Sequence, residues 1–243
     1  MSEQDDKYEP NYLRSARWSA FVLMVLVVVY PEALPFEVFG SPFWGGGFHF
    51  KGTLMACLPL LGWGFALNCY LQANRIMEFR SPIGRYLEDY DRTGAELVTE
   101  GAVLSVLDGV LEESAFRWVI FLCAIPLLVG ADWLFGGFVG VHVIEWVYTA
   151  ILFPIADFTT LGVLSPVFQM DWGIGAGLLA ANAFFRDGHK YQGWFGMVNS
   201  WFIGMYMFHI LFTYGLPECM FAHFLYNFGN HLTVAAMKPL RGV

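Results

Sequence analysis

Long apolar segments separated by short polar ones dominate the pattern of this chain. Their lengths predict membrane-crossing helices, which need about 20 mostly apolar residues. The segments cover 18–39, 54–74, 103–129, 134–153, 155–169, 172–185, 194–214 and 218–236. Both 155–169 and 172–185 are short for a span, and 155–169 also contains Asp157, so it is either a short span or a re-entrant piece. The pattern therefore predicts seven or eight spans.

The composition supports this interpretation and excludes a water-soluble globule. Hydrophobic residues make up 57% of the 243 positions and charged residues only 14%. Soluble domains carry about 25% charged residues, and disordered chains carry still fewer apolar ones. The predicted fold class is therefore all-α, a polytopic membrane helix bundle of about eight transmembrane helices surrounded by membrane lipids.

The distribution of basic residues favours eight spans over seven. With the N-terminus in the cytoplasm, eight spans place 11 of the 13 Lys and Arg residues on the cytoplasmic side, Lys51 outside and Arg117 within a span. Omitting 155–169 would move four cytoplasmic basic residues outside, against the positive-inside rule. We therefore expect eight spans, both termini in the cytoplasm, and a plasma or inner membrane.

The pattern divides the chain into four parts. A cytoplasmic tail (1–17) precedes a region (18–100) with two spans and an amphipathic cytoplasmic segment, then a core (101–236) and a short tail (237–243). The net charge of −8 includes no basic run, so nucleic acid is not an expected partner. The four cysteines lie in apolar segments without a C-x-x-C pair and are expected to be small buried hydrophobic residues.

Ionisable side chains in the third predicted span indicate function, because such residues are costly within a membrane. The span contains Asp108, Glu112, Glu113 and Arg117. Glu113 and Arg117 are four positions apart, which favours an ion pair on one helix face. Glu112 lies about 140° from Arg117 around an α-helix and is predicted to face a cavity instead. A carboxylate in such a position is suited to moving protons.

Later spans add further polar side chains that lipid cannot satisfy. They are His142, Glu145, His209, His223, Asn227, Asn230 and His231. His223 and Asn227 are four apart on one helix and could donate hydrogen bonds to an oxyanion. His209 is expected to be an ordinary interhelical hydrogen-bonding residue, although it could also line the cavity.

Three short motifs occur in order along these spans. They are E-E-x-x-x-R at Glu112–Arg117, F-x-x-x-H at Phe138–His142 and H-x-x-x-N at His223–Asn227. In this order, the motifs resemble the CPBP family of intramembrane endopeptidases, also called the Abi family, which includes CAAX-prenyl proteases and bacteriocin-processing proteins. The resemblance covers roughly residues 100–236, so that the core would be catalytic.

The resemblance implies a glutamic peptidase without metal or other cofactor. Glu112 would activate water with the help of His142, and His223 and Asn227 would stabilise the oxyanion. Glu113 and Arg117 would support this site. The implied substrate is a membrane-associated protein, either prenylated or carrying a leader peptide.

The chain also departs from the family pattern. About 80 residues separate His142 from His223, more than the family leads us to expect, so 155–195 would be an elaboration. His209 as the middle histidine would place Met205 where the motif has Phe. Glu145, one turn from His142, would either orient that histidine or bind another subunit.

Two other functions fit the sequence. Aromatic residues make up 18% of the chain, which offers large packing surfaces for a non-catalytic scaffold, an assembly factor or a subunit of a larger membrane complex. Alternatively, Glu112, His142 and His223 could bind a catalytic zinc ion or carry protons or ions. No H-E-x-x-H motif supports the metal version.

Overall fold

The computed structural model describes residues 48–73 and 94–237, and these residues form helices and no strand. The predicted all-helical fold class is thus confirmed for this part of the chain. The first predicted span (18–39), both predicted tails except Met237, and most of the amphipathic segment lie outside the described residues.

Nine α-helices and four other helical segments make up the structure. The α-helices are α1 (Phe50–Ala73), α2 (Gly94–Glu112), α3 (Phe121–Leu134), α4 (Val143–Val147), α5 (Phe153–Thr159), α6 (Ser165–Phe168), α7 (Trp172–Gly188), α8 (Gly193–Tyr214) and α9 (Leu216–Met237). Two π-helical segments, Glu113–Ile120 and Tyr148–Leu152, join α2 to α3 and α4 to α5. Short 3-10 turns occupy Gly137–Val139 and Lys190–Gln192. The counts refer to the described ranges.

Three helical stretches among the described residues are long and apolar enough to cross a membrane. They are Phe50–Tyr70, the continuous run Gly94–Leu134, and Lys190–Tyr214. Large apolar side chains such as Phe158, Leu161 and Trp194 are more than 75% exposed, a surface that suits lipid rather than water. These features indicate a membrane protein, whereas the predicted count of eight spans is not confirmed.

The segment between α3 and α7 differs from its prediction. A break was expected near position 154, between two spans, but α4, the π-segment and α5 form one helical run from Val143 to Thr159. Pro154 is the second residue of α5, next to the end of the π-segment, where the missing proline N–H is tolerated because the hydrogen-bond pattern changes there. The predicted fifth span is likewise not one helix, because α5 ends at Thr159 and α6 begins at Ser165.

Helices α3 and α7 run antiparallel, which fixes where this segment begins and ends. Gly173 at the start of α7 packs against Val129 of α3, and Gly177 packs further back against Ile125 and the Phe121 carbonyl. The end of α3 and the start of α7 therefore lie at the same end of the bundle. Residues 135–171, which connect α3 to α7, therefore begin and end at the same end of the bundle.

Helix α9 packs against α2, α1 and α8. Gly215, with a φ of 126°, separates α8 from α9 at a backbone conformation that favours glycine. Helix α2 approaches the backbone of α9 closely at Gly109, where an added Cβ would lie 2.8 Å from the Met220 carbonyl oxygen and 3.2 Å from the Phe224 nitrogen. This contact sets the C-terminal end of α2 directly beside His223.

Candidate functional site

The candidate site begins where α2 changes into a π-helix. Glu112 is the last residue of α2, and Glu113 is the first of the wider π-helical turns. π-Helical segments are rare and often occur at functional sites. Here both carboxylates reach the same imidazole on α9, because Glu113 Oε1 lies 2.5 Å from His223 Nδ1 and Glu112 Oε2 lies 3.8 Å from His223 Nε2.

Glu113 and Arg117 form the ion pair that their spacing predicts. Arg117 Nε lies 3.2 Å from Glu113 Oε2, and neither side chain is exposed. Cys219 Sγ also donates a hydrogen bond to Glu113 Oε2 at 2.9 Å. The Arg117 guanidinium lies over the Phe185 ring, 4.1 Å from its centroid. A buried ion pair needs such additional contacts, because water no longer stabilises either charge.

Glu112 is placed differently from Glu113, as its position around the helix predicts. Its side chain is 12% exposed, against 0% for Glu113. Glu113 is bound by an arginine, a histidine and a thiol, whereas Glu112 lies 3.8 Å from the other nitrogen of His223. The two acids therefore divide into a structural carboxylate and one at the edge of the site.

The hydrogen bonding of His223 decides what its ring can do. Glu113 is paired with Arg117 as a carboxylate and only accepts, so His223 Nδ1 donates to it. A proton on Nε2 as well would make His223 a cation, for which Glu113 supplies the opposite charge. Asn227 follows one turn later on the same helix and is partly buried. The structure thus brings Glu112, Glu113, Arg117 and His223 together, with Asn227 on the face next to them.

His142 does not join this group. Its Nδ1 lies 2.6 Å from Asp132 Oδ2, and its side chain is half exposed. Asp132 and Glu112 belong to one continuous helical run, so the 20 positions between them span roughly 25–30 Å. The expected pairing of Glu112 with His142 is therefore not formed, and neither is a metal set of Glu112, His142 and His223. The cause is the turn after Leu134, which begins the next helix at the far end of the bundle.

His189 lies where the second histidine was expected. It follows α7 directly, and its ring centroid is 4.7 Å from that of Phe185, which is itself 6.3 Å from that of His223. The charges of Glu112 and His223 both act on its imidazole. Sequence reasoning missed this residue, although the signal was present, because Phe185-Arg-Asp-Gly-His189 also matches F-x-x-x-H.

The bonding of His189 leaves one ring nitrogen available. Nδ1 donates a hydrogen bond to the Phe185 carbonyl oxygen at 2.8 Å, since a carbonyl can only accept. In the neutral ring, Nε2 is then unprotonated and can accept a proton. Burial lowers the pKa of His189, and the nearby Glu112 opposes that shift only in part. The ring is therefore neutral at pH 7.

The remaining predicted polar residues lie outside the group around His223. His209 is partly buried, with its ring 5.7 Å from that of Tyr206. His231 packs against Gly101 of α2, and Glu145 lies 3.8 Å from His142. The four cysteines are free; Cys57 and Cys219 are buried, Cys69 is partly buried and Cys123 is exposed, so the expectation that all four are buried is confirmed for only two of them.

Comparisons with known proteins gave no match. No family model matches the chain, and neither a curated protein nor a solved structure is similar to it. The likeness to the CPBP family therefore depends on the sequence motifs alone.

Proposed function

We propose that this chain is an intramembrane endopeptidase of the CPBP type, in which Glu112 activates the attacking water. The observation that supports the proposal most strongly is the shared imidazole of His223, which contacts Glu112 on one side and the buried Glu113–Arg117 ion pair on the other. A base and a hydrogen-bond donor held this close suit hydrolysis of an amide.

The proposed reaction uses each residue at a stated point. Glu112 takes a proton from water as the water oxygen attacks the scissile carbonyl carbon. His223 and Asn227 donate hydrogen bonds to the resulting oxyanion. The carbon–nitrogen bond then breaks, and the proton held by Glu112 passes to the leaving amine. Atoms and charge balance without a metal.

The proposal assigns the second histidine role to His189 instead of His142. His189 is close enough to Glu112 to feel its charge, and it carries an unprotonated Nε2. This nitrogen can orient the water by accepting its second hydrogen. The assignment also removes the long gap between the second and third motifs, because His189 and His223 are 34 positions apart.

The proposed substrate is a membrane-embedded or membrane-associated protein. The site lies among helices with lipid-suited surfaces, so a peptide bond near the bilayer would reach it most directly. We also propose that the termini are cytoplasmic, since the distribution of basic residues favours this orientation, and that the membrane is the plasma or inner membrane.

The test is a comparison of protein termini in membranes from cells that carry either wild type or Glu112→Gln. Glu100→Gln is the control, because Glu100 is an exposed acid of the same helix, three turns before Glu112. We expect new termini, detected by mass spectrometry, in wild type and in the control but not in Glu112→Gln. Equal termini in all three would refute the role of Glu112.

A non-catalytic role is the second candidate, and the exposed aromatic surface favours it. Trp133, Trp146 and Trp194 are each more than half exposed and could pack against other subunits as well as lipid. This function predicts co-purification with a larger complex and no terminus that depends on Glu112. The same comparison, followed by purification in mild detergent, separates the two candidates.

A further inference from the structure

A second cluster of titratable side chains lies at the turn between α3 and α4, at the C-terminal end of the long helical run and about 20 residues beyond Glu112. Asp132 is 2% exposed, His142 is half exposed, and Glu145 is partly exposed. One ligand atom from each of the three lies within 4.8 Å of the other two. The proposed peptidase reaction uses none of these residues.

The spacing of the three ligand atoms is close to what a zinc ion requires. His142 Nδ1 lies 2.6 Å from Asp132 Oδ2 and 3.8 Å from Glu145 Oε2. Zinc bonds of about 2.0–2.2 Å set neighbouring ligand atoms of a tetrahedron roughly 3.3 Å apart. Shifts of less than about 1 Å in these two distances, and of at most about 1.5 Å in the distance between the two carboxylates, would therefore bring the three atoms onto one ion.

Asp132 is already oriented for this role. Its Oδ1 accepts hydrogen bonds from the backbone N–H groups of Ile144 at 2.8 Å and Glu145 at 3.2 Å. These bonds leave Oδ2 directed at His142. Outer hydrogen bonds of this kind hold a ligating carboxylate in place and increase metal affinity. The half-exposed imidazole of His142 leaves a path by which an ion could enter.

No Lys or Arg of the described residues pairs with the two acids in the cluster. The Asp132 carboxylate accepts hydrogen bonds from two backbone N–H groups and lies beside His142, and the Glu145 carboxylate lies 3.8 Å from the same histidine. The surrounding turn carries apolar side chains, including Trp133 and Phe138. Two carboxylates this close in such surroundings repel one another, and a divalent cation removes that cost.

We propose that Asp132, His142 and Glu145 bind a zinc ion, with a fourth position open to water. One imidazole and two carboxylates form a ligand set that zinc accepts, whereas calcium and magnesium favour oxygen ligands alone. The ion would tie the end of α3 to the start of α4. This proposal is independent of the peptidase function.

The test uses the full-length purified protein without an affinity tag, first treated with a chelator and then titrated with Co²⁺ as a visible probe. We expect one Co²⁺ per chain, absorption bands typical of four-coordinate cobalt, and displacement of the probe by Zn²⁺. Glu145→Gln keeps the backbone hydrogen bonds to Asp132 and should weaken Co²⁺ binding at least about tenfold. Glu100→Gln, an exposed acid far along the same helical run, should leave binding unchanged.

Two results would overturn the proposal. One is the absence of the cobalt absorption bands in the wild-type protein. The other is equal Co²⁺ affinity in wild type, Glu145→Gln and a third variant, His142→Gln, which removes the only nitrogen ligand. Circular dichroism of each variant establishes that the helices are intact, so a lost signal reports on the ion rather than on unfolding.

Discussion

Individual residues decide which carboxylate can take part in chemistry. Glu113 is saturated by Arg117, His223 and Cys219, while Glu112 borders the site with a small exposed fraction. The spacing of Glu113 and Arg117 predicted their pairing, because contacts four residues apart on a helix are local. The partner histidine of Glu112 could not be chosen in the same way, since both His142 and His189 follow a phenylalanine by four positions.

The two histidines give opposite expectations at the residue scale. His189→Gln should reduce Glu112-dependent cleavage by about 10²-fold, the usual cost of misplacing a reacting group, because His189 orients the attacking water. His142→Gln should leave it within about twofold, because His142 is roughly 25–30 Å along the helix from Glu112. The measurement is the yield of Glu112-dependent termini for each variant. A larger loss of cleavage in His142→Gln than in His189→Gln would show that His142, and not His189, assists Glu112.

The loss of cleavage at low pH should follow the protonation of His189. Burial lowers its pKa below the ordinary histidine value of 6.5, so the neutral ring persists as the pH falls through that value. We expect cleavage to be retained at pH 6.5 and lost only at lower pH, when the ring becomes protonated. A pH profile of the initial cleavage rate measures this. Loss of activity already above pH 6.5 would disagree with a neutral His189 that orients the attacking water.

At the scale of elements, one close helix contact positions the site. Gly109 allows α2 to approach the backbone of α9 next to His223, so Glu112 and His223 depend on it. Sequence patterns predicted α7, α8 and α9 well, since these are long apolar runs. They placed a break near position 154 that does not exist, because a proline and a polar residue also fit a helix containing a π-segment.

Gly109→Ala tests this contact. Its Cβ would lie 2.8 Å from a backbone oxygen of α9, which cannot move aside cheaply. We expect a loss of about 1–3 kcal/mol of stability, as for other overpacked sites, together with reduced cleavage. Gly130→Ala is the matched control, because nothing lies within 4 Å of its added Cβ. Thermal unfolding in detergent compares the two, and equal unfolding temperatures would argue against the contact.

At the scale of the whole molecule, the antiparallel packing of α3 and α7 sets the orientation of the loops. The turn around Phe138 lies at one end of the bundle and the segment around Tyr191 at the other. The segment 135–171 returns to the end where it began, so it does not change which side the later loops occupy. The distribution of basic residues predicts a side for each loop, which stays a prediction, but it could not indicate that this segment returns to the end where it began.

A labelling experiment tests that orientation. In a variant without the four natural cysteines, Tyr191→Cys should react with an impermeant maleimide only from the cytoplasmic side. Phe138→Cys should react only from the opposite side. Both parent residues are exposed, so access is not limited by burial. Reaction of both cysteines from the same side would contradict the proposal that positions 138 and 191 lie on opposite sides of the membrane.

The most direct test of the central claim is hydrolysis by the purified protein in water enriched in ¹⁸O. Purified wild type and purified Glu112→Gln would be placed in separate liposomes, each with membrane proteins from cells that lack this chain as candidate substrates. Hydrolysis adds one oxygen from water to each new C-terminus. We predict new C-termini carrying ¹⁸O with wild type and none above background with Glu112→Gln. Equal labelling by both proteins, or labelling by neither, would contradict a Glu112-dependent peptidase.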